Sequence, residues 1–119
     1  MRSLLIKCTA GAEDPERCNQ AFTVAAAGVA AGAEVSLWLT GDATWLAVPG
    51  RAEAFTLPQA APLDQARDLV LADGELVVCS QCAARRGLTQ DDLVPGTRIA
   101  GAAGFVELAL RDGAQALVY

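Results

Sequence analysis

Histidine is absent from all 119 residues. That absence excludes Ser-His-Asp triads, Cys-His nucleophile pairs and every histidine-containing metal site. Aromatic residues are scarce at 5%, so the core of a chain that is 53% hydrophobic must be packed from Ala, Val and Leu. Such small side chains let helices lie close on a sheet, which suits α/β layering. Basic charge is also short. Nine Lys and Arg stand against 14 Asp and Glu, a formal charge of −5, and this argues against a nucleic-acid partner, because phosphate binding needs a basic face. Long apolar runs are missing too. Leu4-Leu5-Ile6 ends at Lys7, too short for a signal h-region or a membrane span, and Lys7 before Cys8 departs from the lipoprotein pattern. The expectation is a cytoplasmic protein with no membrane partner. Neither G-x-G-x-x-G nor G-x-x-x-x-G-K-[ST] occurs, so no cofactor is expected.

What is present is an alternation of apolar runs and helical stretches within one expected domain, residues 1–119, long enough to bury a core. A first strand covers Ser3 to Cys8. Asp14-Pro15 then reads as an N-cap followed by proline at the first helical position. The helix runs to about Ala31, carries Phe22, Ala25, Ala26 and Val29 on one side, and is stopped by Gly32. Strand two is Glu34 to Leu39, and a short helix with Trp45 spans Ala43 to Val48. Pro49 to Pro62 has three prolines and no period, and reads as a long surface connection. Leu63 to Leu71 is helical, with Gly74 closing it. Glu75 to Cys79 is strand three, followed by a short helix from about Gln81 to Arg86 and a helical turn over Thr89 to Leu93. Thr97 to Ala100, Ala103 to Arg111 and Ala114 to Val118 complete the pattern as strand, helix and strand.

Five short strands separated by helices imply a flavodoxin-like three-layer α/β sandwich, its sheet mostly parallel and its crossovers right-handed. The natural order for such an open sheet is 2-1-3-4-5, with a switch point between strands one and three. That order predicts Cys8 and Cys79 side by side at the ligand-binding crevice.

Cysteine carries the chemistry. A chain kept in the cytoplasm uses four cysteines as reactive, metal-binding or buried groups more than as a disulfide framework. Cys79 closes an apolar strand and faces the start of a helix, where a thiolate, the nucleophilic form, is favoured. The duller alternative is a small buried hydrophobe. Cys82 completes a C-x-x-C spacing, Cys79-Ser80-Gln81-Cys82, which permits a disulfide or half of a metal site. Zinc would need four ligands, and Cys8 and Cys18 lack a second such spacing, so no metal is expected. A thioredoxin arrangement is disfavoured because the pair follows the third strand, not the first. Cys8 supports the crevice or merely lines it, Cys18 reads as packing, and Arg85 and Arg86 are candidate anion-stabilising groups. Asp42, Asp64, Asp91 and Asp92 read as caps and turns. Trp38 and Trp45 read as core and crevice wall, with Trp45 a candidate cover for the thiol pocket.

The run Leu76-Val77-Val78-Cys79-Ser80-Gln81-Cys82-Ala83-Ala84-Arg85-Arg86-Gly87-Leu88 resembles the active-site segment of the DsrE/DsrF/TusD sulfur-relay family. There, too, a strand ends on a cysteine and a small-residue helix closes with Arg-Gly or Arg-Arg-Gly. The likeness extends to the opening strand and its Ala-rich helix, to Gly32-Ala33-Glu34-Val35, and to Gly101-Ala102-Ala103-Gly104-Phe105 before the last strand. The resemblance implies a flavodoxin-like fold, a cytoplasmic location and a homo- or hetero-oligomer of trimer or hexamer type. It also implies a persulfide carried on Cys79 between sulfur donor and acceptor proteins. Cys82 is a departure, since relay members can work with the first cysteine alone, and it raises a redox or resolving role. The leading expectation is thus a sulfurtransferase-like carrier. The rivals are a dithiol redox protein using Cys79 and Cys82, and a non-catalytic oligomeric binding module.

Overall fold

The structure, a computed structural model, describes residues 2–119. Strands β1 (Ser3–Cys8), β2 (Glu34–Leu39), β3 (Glu75–Cys79), β4 (Arg98–Ala100) and β5 (Ala114–Val118) form one five-stranded sheet in which every pairing is parallel. The helices are α1 (Pro15–Ala30), α2 (Arg51–Ala54), α3 (Leu63–Asp73), α4 (Ser80–Arg85) and α5 (Ala102–Ala109), with 3₁₀ segments at Gly41–Ala47 and Gln90–Asp92. Strand β2 is central and buried from Val35 to Leu39, the continuous apolar run expected of a parallel strand covered on both faces. Pro15 opens α1 where its missing N–H costs nothing, and Gly32, at φ +86°, follows its end. The Asp14 side chain makes no capping bond and pairs with Arg17 at 3.4 Å instead.

Strand alternation divides the core in two. Ile6, Cys8, Val35, Leu37, Leu39, Leu76 and Val78 point to one face, where Cys18, Ala21, Phe22 and Ala25 of α1 and Leu63 and Val70 of α3 complete the larger cluster. Leu5, Trp38 and Val77 point to the other, against Phe105, Leu108 and Ala109 of α5. The layers are therefore α1/α3, sheet and α5, the α/β sandwich that the sequence predicts.

The strands within that sheet run β4-β3-β2-β1-β5, so β2 lies between β1 and β3, which the expected order 2-1-3-4-5 makes neighbours. The reason lies in the face that α3 occupies. With right-handed crossovers, two successive helices on one face move the chain in one direction across the sheet. α1 and α3 pack against each other on the same face, which gives 1-2-3. The return from β4 at one edge to β5 at the other runs the opposite way, so its helix α5 covers the opposite face.

The segment Pro49–Pro62 is more ordered than a surface connection. It holds α2, whose Ala52 is fully buried, and Phe55 packs against the main cluster. Four helical residues are too few to show a period. Arg67 of α3 is buried, and its guanidinium makes two 2.9 Å bonds to Glu53 of α2, which fixes this segment to the helix layer.

Candidate functional site

Cys79 is the last residue of β3, and its parity places it on the α5 face with Trp38 and Val77. It lines a cavity of about 120 Å³ together with Lys7, Trp38, Thr40, Ser80, Gln81, Gly101, Ala102 and Phe105. Three strands and two helix starts contribute to that wall, because parallel strands bring their carboxyl ends to one edge of the sheet. The aromatic side is rigid. Trp38 and Phe105 meet edge to face at 5.4 Å, and the Trp38 Nε1–H donates to Ser36 Oγ at 2.9 Å. Lys7 Nζ stands 4.2 Å from the Phe105 ring centre, a cation held against an aromatic face.

Burial pushes the Cys79 thiol up, but the Cys82 N–H, the Cys82 side chain, the Gln81 N–H and the Arg85 charge together hold it below the ordinary thiol value. The residue is half-buried and lines the cavity, so its sulfur is reachable while those neighbouring groups favour its anion. Cys82, in the first turn of α4, is more deeply buried. Its sulfur accepts the Gly41 N–H at 3.3 Å and lies 3.9 Å from Arg85 Nη1. All four cysteines are free thiols.

The two arginines separate in role. Arg85 faces the thiols, whereas Arg86 reaches across to the 3₁₀ segment, donating to Asp42 Oδ1 at 2.7 Å and to the Cys82 carbonyl at 3.1 Å. Arg86 thus ties α4 to the turn after β2, and Asp42, read from sequence as a cap or turn, is its ion-pair partner.

Cys8 is not brought to Cys79. It points to the α1 face, level with Leu39 and Val78, one strand removed and of opposite parity. Its thiol donates to Ala10 O at 3.2 Å, and its thiol neighbour is Cys18, whose own value is pushed far up by the hydrogen bond to Cys8 and by burial. Trp45 does not cover the Cys79 cavity. It lines a separate cleft of about 240 Å³ with Glu13, Asp42, Arg51 and Phe55, and Arg51 lies over its ring at 4.7 Å. Larger though it is, that cleft contains no thiol. Among the described residues no group of three or more His, Cys, Asp or Glu is arranged to hold a metal ion.

Lys7 and Gly41 are the site residues that sequence reasoning passed over. Lys7 looks like an ordinary charged residue in a strand, and only the strand pairing reveals that it shares a face with Cys79. Gly41, two residues past the end of β2, makes a left-handed turn, φ +54°, and its N–H donates to Cys82. The Thr40-Gly41-Asp42 punctuation was the available signal.

The model of the DsrE/DsrF-like family matches residues 2–119, and the chain belongs to that family. Its fold is similar to that of the ychN protein from E. coli, with a TM-score of 0.83 and 17% identity over the full length of both chains. It is also similar to a protein of unknown function, MTH1491 from Methanobacterium thermoautotrophicum, with a TM-score of 0.75 and 10% identity, again over both full chains. No curated protein matches the sequence significantly. Among the described residues, no helix is long and apolar enough to cross a membrane.

Proposed function

We propose that the protein is a sulfurtransferase-like carrier that accepts sulfane sulfur as a persulfide on Cys79 and passes it on. The observation that carries this reading is a half-buried thiol lowered in pKa by backbone N–H groups and Arg85 and opening onto a cavity. In the loading step the Cys79 thiolate attacks the terminal sulfur of a donor persulfide. The donor S–S bond breaks, its inner sulfur leaves as a thiolate, and Cys79 keeps one added sulfur. The same N–H groups and Arg85 stabilise the resulting persulfide anion, and an acceptor thiolate removes its outer sulfur by the same exchange. Membership of the DsrE/DsrF-like family supports the reading, with donor and acceptor proteins as partners in the cytoplasm. A homo-oligomer of trimer or hexamer type is part of the proposal, supported by the exposed apolar residues Val106 of α5, Leu110 just past its end and Val118 of β5. Incubation with a small-molecule persulfide, read by intact mass, tests the function. One added sulfur on the wild type and none on Cys79→Ser is expected, and equal loading of both defeats it.

One observation favours a second reading. The Cys82 side chain helps hold the Cys79 thiol down, which puts the two thiols close together, as a nucleophile and its resolving thiol must be. In a dithiol redox protein, Cys82→Ser abolishes reversible oxidation to an intramolecular disulfide. In a carrier, Cys82→Ser still loads one sulfur.

A further inference from the structure

Lys7 gives the Cys79 cavity a feature that transfer between protein thiols does not require. Its ammonium is fixed at the wall by the Phe105 ring, 4.2 Å away, and among the described residues no carboxylate pairs with it. No acidic side chain lines the cavity, so Lys7 is its one fixed formal charge, and Cys79 is the nucleophile opposite. The remaining surface offers Thr40, Ser80 and Gln81 as polar groups and Trp38 and Phe105 as flat walls. A volume of about 120 Å³ equals the liquid-phase share of roughly four waters, which suits an anion of a few heavy atoms.

We propose that this cavity is a binding site for a small sulfur oxyanion of the thiosulfate class, with Lys7 as the residue that selects it. The inference rests on Cys79 being a sulfane-sulfur acceptor and names its donor. The Lys7 ammonium holds the sulfonate oxygens, and the sulfane sulfur is presented to Cys79. The thiolate attacks that sulfur, the sulfur–sulfonate bond breaks, and sulfite leaves with the bonding pair. Cys79 is left as a persulfide anion, so atoms and charge balance without an added oxidant or reductant.

The test compares wild type, Lys7→Gln and Lys7→Arg with inorganic thiosulfate, reading sulfite release and intact mass in a single turnover. Iodoacetamide, a neutral electrophile, reports Cys79 reactivity and folding in the same samples. The expected result is one sulfite released per sulfur gained, a loss of about tenfold or more in rate at limiting thiosulfate for Lys7→Gln, and substantial recovery in Lys7→Arg. The iodoacetamide rate should stay within about twofold across the three, because a charge-neutral reagent needs no anion receptor. Loading from a persulfide donor without sulfite release from thiosulfate overturns the proposal and leaves the carrier function standing. Loading from neither donor removes both. Equal thiosulfate rates in wild type and Lys7→Gln also overturn it.

Discussion

Replacing Gly41 by alanine gives a worked test of how the turn after β2 holds the thiol site. Its φ of +54° is left-handed, and an added Cβ would meet the Thr9 carbonyl oxygen at 2.9 Å. Thr9 has little freedom to retreat, since its N–H and hydroxyl both donate to Tyr119 O, at 2.9 and 2.7 Å. Gly32 is the control, with φ +86° and no atom within 4 Å of an added Cβ. Left-handed backbone costs an L-residue about 1–2 kcal/mol, which is the whole effect expected of Gly32→Ala. Crowding against fixed neighbours adds about 1–3 kcal/mol, so Gly41→Ala should lose roughly twice as much as the control. Urea unfolding measures both. With a slope of about 1–3 kcal/mol per molar, the two midpoints should separate by several tenths of a molar or more. The Gly41→Ala turn also withdraws from Cys82 an N–H that steadies a reacting thiolate, so Cys82 should alkylate more slowly in that variant alone. Equal midpoints for the two variants, with unchanged Cys82 reactivity, would refute the reasoning.

The ion pair between α2 and α3 predicts a pH-dependent stability. Hydrogen bonding to Arg67 is the main cause holding the Glu53 carboxyl down at about 2. A lowered acid stabilises the fold above its unfolded value, near about 4.3, and that contribution is lost as pH falls through about 2. Glu53→Gln should therefore have a lower urea midpoint than wild type at neutral pH, with the gap closing by pH 2; a constant gap contradicts the pairing. Phe22 is fully buried at the centre of the α1 face, so Phe22→Ala should cost about 3–5 kcal/mol by denaturant unfolding, and a loss under about 1 kcal/mol would place the core elsewhere.

Local signals were legible in the sequence wherever a few neighbouring residues set the outcome. Asp14-Pro15 and Gly32 mark the ends of α1, and the apolar run before Cys79 marks β3 to the residue. The thiol site was legible for the same reason, since Cys79, Cys82 and Arg85 lie within one strand end and one helical turn. Strand order was not, because it depends on which face α3 takes, and that is decided by packing against α1 across more than thirty residues of chain. The error carried a consequence: it set Cys8 beside Cys79, whereas parity turns Cys8 to the opposite face. Lys7 was hidden by the same ignorance, since its relation to Cys79 exists only once β2 is known to lie between them. Helix α2 escaped because a single turn between Pro49 and Pro58 carries no periodic pattern.

The central claim is that Cys79 presents a reachable sulfur whose ionisation is favoured by its surroundings. Its most direct test is the pH dependence of alkylation at each cysteine, resolved by peptide mass in the folded protein, with buried Cys8 and Cys18 as internal references. The account predicts that Cys79 reacts first, with a rate profile whose midpoint lies below that of an ordinary thiol. A Cys79 rate no greater than that of Cys18, or a midpoint at or above the ordinary thiol value, would contradict it.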